Sequence, residues 1–286
     1  MGMRSFIALA LLFISVSMHS QSGRTGLFDV DAFHQPFGWF IGLGMTRMFP
    51  QDAFSQEYGF TSSGTEELLY NVDFTPTGQN GFLITAGHFW LPSYGFIDRI
   101  ELGLSYRQHL GREDFRATRL EGVSDTLPSS VAGFHQFEQD HVVLDVRITK
   151  AVPIKSYLYG FGGLGADINY MIINDFGSSE GALSINRTPS KTSLDADFNA
   201  HLGLGYKTSS AGWLELMFET PIQSIQPFDG LQSRLTVFNS KYRPVYATLS
   251  YRWLKKRPDR ACPTPPKPSK KKKRRGRGSI KDGQIG

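Results

Sequence analysis

The stretch KPSKKKKRRGRG, residues 267–278, gathers the densest charge in the chain. Lys270, Lys271, Lys272, Lys273, Arg274, Arg275 and Arg277 stand there with no apolar residue among them. Such a run binds anions: nucleic-acid phosphates, lipid headgroups or carboxylates. Other chemistry has thinner support. His109, His135, His141 and His201 show no H-x-x-x-H spacing, and no G-x-S-x-G elbow supplies a nucleophile. Cys262 is the only cysteine, so neither an internal disulfide nor a C-x-x-C site can form. GFGGLG at 160–165 looks like a phosphate loop, yet it lies within a strand pattern and precedes no helix. It reads as glycines that let neighbours pack closely. No cofactor, no metal and no enzymatic activity are expected.

Which anion the basic run meets depends on compartment. Arg4, an apolar run from Phe6 to Val16 and the small residues that follow have the layout of a secretory signal peptide, residues 1–22. About 11 apolar residues are too few for a spanning helix, which needs roughly 20. The tail from Lys255 to Gly286 holds 13 Lys/Arg and 2 Asp, so it is +11; a whole-chain charge of +5 leaves −6 for residues 1–254. A mildly acidic body therefore carries a strongly basic tail.

The body must position everything else, and it reads as strands. Period-2 alternation marks eight segments, near 37–48, 81–91, 99–109, 141–150, 157–170, 197–207, 213–220 and 244–254. One face is apolar and the other small, polar or charged. A soluble sandwich buries the apolar face, whereas a membrane barrel turns it to lipid. Three features favour the barrel. Connections alternate, with short PSYGFID, AVPIKS and TSSAG against long stretches near 49–66, 110–136, 171–194 and 224–240. Trp39, Trp90, Trp213 and Trp253, with Tyr157 and Tyr159, gather at the short-turn end like an interfacial aromatic belt, although the parity of Trp213 matches the polar face. The strands are about 9–12 residues long, the length a tilted strand needs to cross a bilayer.

These residues predict an all-β chain: an eight-stranded antiparallel up-and-down transmembrane β-barrel over 37–254. A segment 23–36 precedes it, and a disordered Pro-rich, polybasic tail, 255–286, follows. The signal peptide, the strand YLYGFGGLGADINY, the turn VPIKSYLY and the last strand ATLSYRWL carry a resemblance. Over about residues 37–254 the chain resembles small outer-membrane barrels of Gram-negative bacteria, in style the PorT-like and OmpX-like families common in Bacteroidota. The resemblance implies a bacterial outer-membrane location and a terminal strand read by the barrel-assembly machinery. Those families usually end at the terminal aromatic, whereas this chain runs on through residues 255–286.

Inward parity assigns Glu101, Arg107, Asp145, Arg147, Asp167, His201, Lys207, Glu215, Glu219 and Arg252 to the lumen. Eight strands enclose a space that side chains just fill, so these are expected to pair into a plug. An even strand number puts both termini on the short-turn, periplasmic side and the long loops outside. Nucleic acid is not expected there. The tail would instead meet anionic headgroups, peptidoglycan or a protein partner. The expected role is an anchor or accessory subunit of an envelope complex serving secretion, barrel assembly or surface export. A narrow channel is the alternative, and a lipid-modifying enzyme a further one.

Overall fold

A computed structural model describes residues 28, 34–61, 67–92, 96–121, 129–179, 193–226 and 235–257. Residues 1–22, expected to be a signal peptide, most of 23–36 and the residues from 258 onward lie outside the described residues. Eleven strands follow one another: β1 His34–Pro50, β2 Phe54–Thr61, β3 Glu67–Gly78, β4 Asn80–Trp90, β5 Arg99–Glu121 and β6 Ser130–Pro153, then β7 Leu158–Ser178, β8 Leu194–Ser209, β9 Gly212–Gln226, β10 Leu235–Val237 and β11 Ser240–Lys256.

Eight rails close into a ring. β1 pairs with β4 and β11, and β4 with β5; β5 through β9 pair in order, and β9 returns to β11. Every pairing is antiparallel, and the eight rails pair in chain order with the last, β11, closing on the first, β1, which is up-and-down topology. β3 and β4 lie end to end along β5, interrupted at Gln79, whose N–H reaches Leu110 O at 3.1 Å. β2 continues β1 and forms a hairpin with β3. Closure is staggered. Following register partners from Arg99 through Thr149, Gly163, His201, Glu219, Tyr246 and Thr46 reaches Gly81, two positions before Leu83, the partner of Arg107. The ring is thus offset by ten residues along β5, from Arg99 to the level of His109. Stagger of this kind tilts strands by about 35–45° and leaves a lumen only side chains can fill.

The wall shows which solvent surrounds it. Ile41, Leu43, Phe82, Ile84, Leu102, Leu104, Leu144, Val146, Leu202, Leu204, Leu216 and Leu249 all face outward and exposed. On β1 the outward apolar positions run without a break from Phe37 to Met45 and are interrupted by Arg47 before Phe49. That is about ten residues, or roughly 25 Å once tilted, the height of a barrel's lipid-facing band. This is a transmembrane β-barrel.

Beyond the band the sequence pattern inverts while the strand continues. On β5, Arg99, Glu101, Ser105 and Arg107 point inward and Ile100, Leu102 and Leu104 outward. Past Leu110 the same parity puts Phe115 and Ala117 inside and Arg112, Asp114, Arg116 and Thr118 outside. Lipid requires an apolar outer face, and water a polar one. The described parts of the long stretches expected to be loops are therefore largely strand. β5 has 23 residues, β6 24 and β7 21, so an open sheet of β2, β3, β5, β6 and β7 rises above the band.

Candidate functional site: the filled lumen

The charged inward side chains on the lower half of the barrel pair across strands. Glu215 on β9 accepts from Arg99 Nη1 at 2.5 Å and Nη2 at 2.9 Å, from Arg252 Nε at 2.7 Å and from Tyr159 Oη at 2.5 Å. Arg252 Nη1 also lies 2.8 Å from Glu101, and Arg99 pairs with that same carboxylate. One step higher, Glu219 joins Arg147 Nε at 2.7 Å and Arg107 Nη2 at 2.9 Å. Arg107 reaches on to Asp167 at 2.6 Å, and Arg147 to Asp145 at 3.1 Å. Ser105 donates to Asp145 at 2.9 Å, and Thr149 meets His201 Nε2 at 3.1 Å. Four guanidiniums and five carboxylates form this lattice, and all nine residues are at most 3 % exposed.

Glu101, Arg107, Asp145, Arg147, His201, Glu215, Glu219 and Arg252 thus come together, with Asp167. Lys207 instead sits half-buried at the short-turn mouth, opposite Trp213. Lys270, Lys271, Lys272, Lys273, Arg274, Arg275 and Arg277 lie outside the described residues.

Three members of the plug could not be read as such from the sequence. Arg99 opens its strand, where alternation is shortest. Trp213 and Tyr159, expected in the aromatic belt, are buried at 2 % and 0 %. Their strand parity turns them into the lumen, and only Trp39, Trp90, Trp253 and Tyr157 face outward. Phe28 sits edge-on to both, 5.4 Å from Tyr159 and 5.2 Å from Trp213, and stoppers the short-turn mouth. Around them Phe40, Phe89, Leu91, Phe161, Met217 and Leu254 form an apolar floor. The rings need room. A Cβ at Gly203 would strike Phe161 and one at Gly205 would strike Tyr159, so those glycines seat the floor.

Above the charges, His109 and His141 lie 4.8 Å apart, and His109 Nε2 is 3.2 Å from Tyr246 Oη. Then comes an aromatic cap. Phe238, in the turn between β10 and β11, packs 5.0 Å from His135, 5.3 Å from Phe176 and 6.4 Å from Phe137. Its φ of 55° is unusual for a side chain of that size and costs on the order of 1–3 kcal/mol, offset by this packing. Glu113 latches the turn, accepting from Ser240 Oγ and, at 3.4 Å, from Asn239 Nδ2; Tyr58 Oη donates to Asn239 at 2.8 Å. Burial raises the Glu113 carboxyl above its ordinary range despite the Ser240 and Asn239 hydrogen bonds. Burial also lowers the His135 imidazole. Replacing Glu113 with alanine strands the buried Ser240 hydroxyl and the half-buried Asn239 amide and loosens the turn by about 1–2 kcal/mol. Trypsin cleavage after exposed Lys241 then accelerates by about five- to thirtyfold.

Chemically, the arrangement fixes buried charges of both signs in place. Among the described residues no three His, Cys, Asp or Glu side chains form a metal-binding group.

No protein-family model and no curated protein sequence matches the chain. Solved structures similar to it include the outer membrane protein OprG from Pseudomonas aeruginosa, at 11 % identity and a TM-score of 0.39, covering 78 % of this chain and 98 % of that one. Neisserial surface protein A gives 10 % identity and a TM-score of 0.36, covering 77 % and 97 %. The attachment invasion locus protein of Yersinia pestis gives 14 % and 0.28, covering 77 % and 100 %. The membrane-barrel assignment rests instead on ring closure and the outward apolar band.

Proposed function

We propose that this chain is a non-enzymatic outer-membrane anchor, an accessory subunit of an envelope complex of the secretion, assembly or surface-export kind. In this reading residues 1–22 are a signal peptide, 23–36 a periplasmic segment, and 255–286 a basic tail that docks an anionic partner beneath the membrane. The Bacteroidota-style resemblance belongs to the same reading. The observation that carries it is the filled lumen. Ion pairs and two aromatic layers occupy the barrel from Phe28 to Phe238, which supports a role exercised at its two ends rather than through its middle. The same filling weighs against the channel alternative, since wide diffusion needs something nearer 16 strands.

The full chain is purified from its native envelope in mild detergent, with and without residues 255–286. A protein partner that co-purifies with the full chain and is lost on truncation is the expected result. No co-purifying protein in either preparation sinks the accessory-subunit reading. In planar bilayers the purified barrel is expected to give no stepwise conductance; steady open-pore steps would restore the channel.

A further inference from the structure

The two rims of the barrel differ in charge. At the long-stretch end the described side chains mix signs: Arg47, Arg116, Lys241 and Arg243 stand among Asp52, Glu57, Asp73 and Asp175. At the short-turn end Lys150, Lys155, Lys255, Lys256 and Arg257 face a single described acidic side chain, Asp98. That carboxylate is already engaged, by Lys150 Nζ at 3.1 Å and by the Ala151 N–H at 2.8 Å.

Depth gives this rim its meaning. Trp39, Trp90, Trp253 and Tyr157 point outward just inside it, where amphipathic rings settle at a membrane interface. Lys255 follows Trp253 by two residues, about 7 Å along the strand, and its Nζ lies 5.5 Å from the Phe37 ring centroid. Lys150 follows the exposed Ile148 by two and has its Nζ 5.4 Å from the centroid of Phe96. Both ammonium groups therefore sit over aromatic rings at the outer edge of the girdle. A cation held at the outer edge of an interfacial aromatic girdle stands at the depth of lipid phosphates.

We propose that this rim is a binding belt for the phosphate groups of anionic phospholipids in the adjoining leaflet, with Lys150, Lys155, Lys255 and Lys256 as its principal contacts. The belt deepens the membrane-anchor reading and rests on it, but it does not depend on the tail. It would fix the depth and tilt of the barrel and bring the start of the tail to an anionic surface.

The test uses the full chain in vesicles of phosphatidylcholine containing phosphatidylglycerol, with spin-labelled lipids reporting which headgroup occupies the first shell. Phosphatidylglycerol is expected to be enriched there about two- to fourfold. Changing Lys150, Lys155, Lys255 and Lys256 together to glutamine abolishes the enrichment, whereas changing the four to arginine retains it. Neutralising Lys270–Lys273, Arg274, Arg275 and Arg277 leaves it in place. Enrichment that follows the tail instead of the rim overturns the belt and points to the tail as the lipid-binding element. Equal occupancy by both lipids overturns it outright. Should the glutamine variant fail to insert, loss of the wild-type enrichment in 1 M salt supports the belt and persistence overturns it. Failure of the wild type to insert in any vesicle would instead defeat the membrane reading itself.

Discussion

Replacing Glu215 with leucine lowers the stability of the folded barrel by about 3–5 kcal/mol, the range for breaking a buried ionic group from one side. Glu215 is fully buried and holds Arg99, Arg252 and Tyr159 at once. Its loss leaves two guanidiniums competing for Glu101, which is already shared with Arg147 at 3.6 Å. The cost comes from uncompensated charge rather than lost attraction, so a second change should recover part of it. Converting Arg99 to methionine alongside Glu215→Leu removes one stranded cation and replaces the pair with apolar bulk against Phe161, whose ring centroid lies 5.4 Å from the guanidinium. The double variant is expected to regain at least half of the loss. Urea unfolding in lipid vesicles, followed by tryptophan fluorescence, reads both. A single-variant cost below about 1 kcal/mol would match a solvent-screened pair and mean that water reaches this layer.

That cluster shows what a single sequence discloses. Parity alone placed Glu101, Arg107, Asp145, Arg147, Glu215, Glu219 and Arg252 on one side of a sheet, because strand side chains alternate without exception for long stretches. It could not say who pairs with whom. The Glu215–Arg99 contact joins residues 116 apart, and the ten-residue stagger that brings them level arises only on closure. Trp213 and Tyr159 were misplaced for a related reason. Residue type suggested an interfacial ring, while parity, the stronger constraint, sends both into the lumen. The rising sheet was hidden by its own physics. A strand that leaves lipid for water exchanges its apolar and polar faces, so REDFRATR, 112–119, looks like a break in the pattern although β5 runs through it. The latch of Glu113 on Ser240 links β5 to the start of β11, a contact no local signal announces.

Arginine in place of Leu104 distinguishes lipid from water as the surroundings of the wall. Leu104 is 58 % exposed and lies between Ala86 and Leu144 on the neighbouring strands. In a water-soluble sheet a residue this open accepts arginine within about 0.5 kcal/mol, and removing an exposed leucine would improve solubility. In a bilayer the same change puts a guanidinium near the middle of the hydrocarbon, at a cost of about 2–4 kcal/mol. The inverse pattern above the band supplies the control. Arg116 occupies an outward position on the same strand, six pairs of alternation further on, and is already charged and exposed. Changing it to leucine is expected to alter stability by less than about 0.5 kcal/mol. The ratio of folded to unfolded protein in vesicles, measured for both variants, reads the depth dependence directly. Equal and small effects at Leu104 and Arg116 would mean that both positions see one solvent, and the transmembrane assignment would fall. A large penalty confined to Leu104 follows if the apolar band from Phe37 to Met45 marks where the hydrocarbon lies.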